Sequence, residues 1–161
     1  MIIVLSVFNG FEGLVVSLYN SFDPPIRITP AQGKVVDLDS VPTAVFTEDP
    51  DVIKAVEVLE EGCLLRYLEN QYFARIRGVG QDFLDHTGID SMMVAGVAEL
   101  TVDGVPTIIL GQGVAYHISA SMSDPINPIE VYVPKRGANA SINPANAFSV
   151  KQIYPSGFFG V

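Results

Sequence analysis

The sequence predicts an α+β fold: a sheet with helices on one face, then a strand-rich mixed part, the whole preceded by a helical segment. Short runs of β-branched and aromatic residues are separated by Gly, Pro and Asn clusters, and longer stretches between them carry apolar residues at helical spacing. Their order over the first half is β-β-α-β-β, which suits a sheet covered by helices on one side. A chain of 161 residues, 48% of them hydrophobic, is long enough to bury a real core.

The first 22 residues come first in that order. Met1 to Phe8 is apolar except for Ser6, and Leu14, Val15, Leu18, Tyr19 and Phe22 then recur at helical spacing, so a hydrophobic run turns into an amphipathic helix. The run is shorter than the roughly 20 apolar residues that a bilayer span needs. Met1 therefore reads as a cut, with the rest of a transmembrane helix upstream. A secretory signal would carry cations ahead of its apolar core, whereas the first Lys or Arg is Arg27. An ordinary N-terminal helix whose apolar stripe packs on the domain fits the same pattern.

Asp23-Pro24-Pro25 breaks this segment. Ile26 to Thr29 and Lys34 to Asp39, joined through Pro30 to Gly33, then predict a hairpin, and Ala44 to Glu48 a third strand. Asp49 reads as an N-cap with Pro50 in the first helical position; Val52, Ile53, Val56 and Leu59 form one apolar face before Gly62 closes the helix. Cys63 to Leu68 and Tyr72 to Val79 flank Glu69-Asn70-Gln71 as a second hairpin, followed by a helical turn at Gln81 to His86. Gly88 to Gly96 is a connector. Beyond it, Glu99 to Val102, the Asp103-Gly104 turn and Pro106 to Leu110 form a third hairpin, with a helix at Val114 to Ala120 and a strand at Ile129 to Val133. The tail from Pro134 reads as a long exposed loop before a final strand, Phe148 to Tyr154, and the apolar end at Gly157 to Val161 again suggests a cut. The organisation that follows is 1–22 as the end of a membrane helix and stalk, 23–90 as the first subdomain, and 91–161 as a strand-rich second one.

Charge narrows the partners. A formal net charge of -9, from 18 acidic and 9 basic residues, opposes the phosphate backbone of nucleic acid and the surface of anionic lipid. Membrane attachment should then come through the N-terminal helix. Cys63 is the only cysteine, which excludes an internal disulfide and a thiolate metal cage, and its place in CLLRYL predicts a buried inert thiol.

The residues that could carry chemistry are few, and neither catalytic, cofactor nor metal ligands are assigned. Gly111-Gln112-Gly113 follows a strand and opens a helix, but a dinucleotide fingerprint would place its third glycine at Tyr116. Asp82, Asp85, His86 and Asp90 lie close in sequence without the spacing of a ligand motif and read as a solvated helix end. His117, in VAYHISA, reads as a partly buried, hydrogen-bonded imidazole. No G-x-S-x-G elbow occurs, and Glu60-Glu61 reads as the solvated end of a charged helix. Lys135-Arg136-Gly137 could grip an anion but reads as ordinary surface, and Asn139-Ala-Ser141 is a formal glycosylation sequon.

Taken together, SVFNGFEGLVVSLYNSFDPPIRITPAQGK, LLRYLENQYFARIRGV, GQGVAYHIS, VYVPKRG and IYPSG resemble permease subunits of bacterial lipoprotein-releasing ABC transporters of the LolC/LolE type, with the macrolide exporter MacB and the division permease FtsX as wider relatives. The resemblance implies an inner-membrane protein of which this segment is the periplasmic domain, with a porter-like α/β part and a strand-rich part. It also implies a cytoplasmic ABC ATPase and a partner permease subunit as partners, and a lipoprotein or other hydrophobic client, or its carrier, as what the domain engages. Under it, Phe8, Phe11, Leu14 and Leu18 belong to the membrane-proximal stalk that carries motion to the domain. A regulator of a cell-wall hydrolase, a stand-alone binding module, or an enzyme using His86 or His117 are the other readings.

Overall fold

The computed structural model of the protein describes residues 26–33, 35–37, 41–42, 44–135 and 147–160. The fold is α+β, as the sequence predicts. Strands β1 (Val58–Tyr67), β2 (Asn70–Val79), β3 (Met93–Gly96), β4 (Thr101–Val102), β5 (Val105–Gly111), β6 (Ile129–Pro134) and β7 (Phe148–Phe159) form a mixed sheet in the order β2-β1-β6-β7-β5-β4, and β3 also pairs with β7. The described helices are short: α1 (Ala44–Thr47), α2 (Gln81–His86), a 3-10 turn at Ile89–Met92, and α3 (Gln112–Ile118). None of those described is long and apolar enough to cross a membrane.

The β1–β2 hairpin pairs along the full length of both strands, turning through Leu68-Glu69 with Leu68 at a φ of 52°. That length corrects the helix predicted from Asp49 to Gly62. The Asp49 side chain accepts from the Asp51 backbone N–H at 2.9 Å, an Asx turn in place of a helix cap, and the chain then runs without regular structure until β1 begins at Val58. Val52, Ile53, Val56 and Val58 are β-branched and poor helix formers, and Ile53 is 92% exposed, so a helix there would have no core to face. The predicted strand at Ala44 to Glu48 is instead the single turn α1, closed by Glu48 N–H donating to the Ala44 carbonyl at 2.9 Å; a strand without a neighbour leaves its backbone groups unsatisfied, and a turn does not. No strand occurs among the described residues of the hairpin predicted over 26–39, and Ile26, Ile28 and Val35 stay exposed.

Strand β7 is the organising element. Its first half pairs antiparallel with β6, from Phe148 opposite Pro134 to Ile153 opposite Ile129. Its second half pairs in parallel with β5 and, at Gly157 to Phe159, with β3. The handover falls at Tyr154-Pro-Ser-Gly157. Pro155 has no N–H to give a ladder, and the register slips so that Ile108 faces Pro155 while Ile109 faces Gly157. Buried Ser156 satisfies the irregularity, its Oγ donating to the Glu99 carbonyl at 2.7 Å while its own carbonyl accepts from Val97 N–H at 2.9 Å. Two glycines permit the approach of β3: a Cβ on Gly157 would lie 2.7 Å from the Val97 carbonyl oxygen, and one on Gly96, at a φ of +73°, would lie 2.7 Å from Gly157 Cα.

Two apolar clusters follow from this arrangement. In the larger, Cys63, Leu65 and Tyr67 of β1 meet Ile129 and Val131 of β6, Leu110 of β5, and Ala115 and Ile118 of α3. In the smaller, Phe83 and Leu84 of α2 pack with Ile89 and Ala98 against Ile109 and Phe159. Successive strand residues point to opposite faces, so Ile108 and Leu110 in one cluster and Ile109 in the other place α3 and α2 on opposite sides of β5. On the β2–β1–β6 part of the sheet, α3 covers one face, and no described helix covers the other.

Candidate functional site

The face that no described helix covers is built by the alternation that fills the core. Since Cys63, Leu65 and Tyr67 point to α3, Leu64 and Arg66 point away, as do Phe73, Arg75 and Arg77 of β2, Glu130 and Tyr132 of β6, and Val150 and Gln152 of β7. The register lines these residues up across four strands. Phe73 lies opposite Leu64, Leu64 opposite Tyr132, and Tyr132 opposite Val150, giving an apolar row whose outer member, Phe73, is 80% exposed.

Charged groups flank the row. On one side Arg66 pairs with Glu130 at 2.7 Å, the Tyr132 hydroxyl donates to Glu130 at 2.8 Å, and the Arg66 guanidinium stands 5.8 Å from the Tyr132 ring centre. The Tyr132 hydroxyl, resisted by desolvation and joined by Arg66, holds the Glu130 carboxyl below the usual range. On the other side Glu60 accepts from Arg75 at 2.9 Å and Arg77 at 3.1 Å, with Arg27 at 3.8 Å. Desolvation raises the Glu60 pKa, but the charge and hydrogen bond of Arg77 and then Arg75 outweigh it, and the net shift is downward. Arg27, Arg66, Arg75 and Arg77 thus gather with Glu60 and Glu130 on this face, on a chain of net charge -9.

The end of the sheet beyond this face is fixed by Asp124. Its carboxylate accepts from the Asn127 amide at 2.7 Å, the Tyr67 hydroxyl at 2.7 Å and the backbone N–H groups of Ile126 and Asn127. Those donors, the Asn127 amide foremost, hold its pKa far below the ordinary carboxylate value. This is an Asx-type anchor for the loop between α3 and β6, and it gives no sign of proton chemistry.

Several residues singled out by the sequence sit elsewhere. Phe8, Phe11, Leu14 and Leu18 lie outside the described residues, as do Arg136 and the sequon. Glu60 and Glu61 are in β1, not at a helix end, and Glu60 is ion-paired, not solvated. His117 is exposed, and its ring stacks on Tyr72 at 4.5 Å and 4°, where a partly buried, hydrogen-bonded ring was predicted. His86 Nδ1 lies 2.9 Å from the Asp82 carbonyl, while the Asp82 carboxylate pairs with Lys54 at 2.6 Å. No three His, Cys, Asp or Glu side chains gather to hold a metal ion among the described residues. The Gly111-Gln-Gly113 junction closes on protein: a Cβ at Gly111 would meet the Phe159 ring at 3.4 Å. Cys63 is buried, and burial pushes its thiol pKa up, which suits the inert thiol expected. The open face itself escaped the sequence reading. Placing Glu60 on a helix removed it from the hairpin register in which it stands opposite Arg77.

Comparison with protein-family models and with curated proteins gave no match.

Proposed function

We propose that the chain is the periplasmic domain of an ABC transporter permease of the lipoprotein-releasing class, a non-enzymatic part that engages a hydrophobic or acylated client, or its carrier, and moves when a cytoplasmic ATPase turns over. The observation that carries this reading is the ordered series of segments from SVFNGFEGLVVSLYNSFDPP to IYPSG. Within the described residues the later segments fall on the β1–β2 hairpin, α3, β6 and the Pro155 junction of β7, while Ile26 to Gly33 of the first has no regular structure. A sheet face that no described helix covers, with an apolar row ending in exposed Phe73, is a chemically apt surface for an apolar client. Coupling to a distant ATPase needs a stiff connection to the membrane, and Ser6 to Phe22, with Phe8, Phe11, Leu14 and Leu18, is the segment this reading assigns to it. Deleting the residues before Phe11 from the complete permease should leave ATP hydrolysis running while transport stops. Transport at the undiminished rate would remove the stalk role.

A further inference from the structure

We infer that a cavity beside α3, on the other side of the sheet from the apolar row, is a binding site for an uncharged sugar ring. This goes beyond the transporter reading and does not depend on it. The cavity opens to solvent and holds about 540 Å³, within the roughly 300–1,000 Å³ of small-molecule sites. Gln112, Tyr116 and Ser119 line it from one side of α3, spaced four and then three residues apart, and His117 stands beside them. Buried Ala115 and half-buried Phe158 are the apolar part of the wall.

The chemistry of the lining selects the ligand. The Gln112 amide, the Tyr116 phenol and the Ser119 hydroxyl each offer a donor and an acceptor, which matches a sugar hydroxyl, itself donor and acceptor at once. Among the described residues none of these three side chains is engaged in a hydrogen bond, so all are available to a ligand. No Asp, Glu, Lys or Arg lines the cavity, so an ionised ligand would find no counter-charge there, and the net charge of -9 repels an anionic one. The rings are placed for the C–H face of a sugar. Tyr72 stacks on His117 at 4.5 Å and 4°, which fixes the imidazole plane, and the Tyr116 ring stands at 70° to it at 5.9 Å, making an aromatic corner. Tyr116 is 81% exposed, so no core packing accounts for its place, and a ring laid on it would take apolar area out of water. A flat aromatic ligand would use that surface too but would leave the amide and the hydroxyl unpaired.

The test is a titration of the full chain with methyl glucoside, methyl mannoside and N-acetylglucosamine, followed by backbone amide chemical shifts. At least one of the three should shift the amides of residues 112–119 and saturate in the millimolar range, the affinity expected of one small ring at an open site. Tyr116→Ala should weaken that binding about tenfold, the worth of an aromatic contact, and should leave the melting temperature in place because the side chain is exposed. Gln112→Ala, which removes the amide and keeps the ring, should weaken it about fivefold, and it reads the site even where the Tyr116 variant does not fold. Failure of all three sugars to saturate overturns the inference, as does binding that both substitutions leave unchanged. Indole that saturates the same amides where the sugars do not overturns it too, assigning the cavity to flat aromatic ligands.

Discussion

Gly96 and Gly157 set how closely β3 can approach β7, and through that approach they seat Phe159 and Met93 beside α2. Any Cβ at Gly157 meets the Val97 and Ala95 carbonyl oxygens at 2.7 and 2.9 Å, which are backbone atoms that cannot swing aside. Gly157→Ala should therefore cost about 3 kcal/mol, at the upper end of overpacking, read as a lower urea midpoint with an unchanged slope. Gly96→Ala should cost at least as much, since it adds a left-handed backbone conformation to the clash. A loss below about 0.5 kcal/mol for both would show that the two strands separate easily. At this scale the sequence is half legible. The Asp103-Gly104 turn is readable as a dipeptide, and both residues do take positive φ. The need for glycine at positions 96 and 157 is invisible locally, because it arises only when two strands more than fifty residues apart cross.

At the scale of elements, the hairpins with a buried face were legible and the segment without one was not. Alternation in CLLRYL and YFARIRGV points to β1 and β2 because one side of each strand fills the core. The stretch from Asp49 to Glu57 buries almost nothing, so its apolar spacing reported no real periodicity. Once β1 is taken back to Val58, Glu60 becomes the hub of three arginines, and its titration belongs to the fold. A carboxylate with a lowered folded pKa contributes stability that is complete above the unfolded pKa and is lost as pH falls through the folded value. Glu60→Gln should cost about 1 kcal/mol at pH 7, as expected for a partly exposed network, and the difference from the parent should shrink as pH falls below the ordinary carboxylate range and in high salt. Urea midpoints taken from pH 7 down through the acid range measure this; a difference that stays constant throughout would mean that Glu60 acts by packing and not by charge.

For the whole molecule, the open question is whether the chain folds as one unit or as two parts meeting near residues 88–96. The two apolar clusters stand on opposite faces of β5, and β7 contributes Ile153 and Phe158 to the larger and Phe159 to the smaller. Strand β1, early in the sequence, pairs with β6, late in it, and buried Ile118 of α3 packs beneath Cys63 and Leu65. Unravelling either cluster therefore strips one side of β5 and of the central strand. That shared backbone predicts a single cooperative transition. Ile118→Ala in the larger cluster and Phe83→Ala in the smaller should each lower stability by about 2–5 kcal/mol and should move the same transition, seen alike by far-UV circular dichroism and by tyrosine fluorescence. Two steps, each displaced by only one of the substitutions, would instead divide the chain at the connector, because a cluster that melts alone cannot be drawing its stability from the strand that both clusters share.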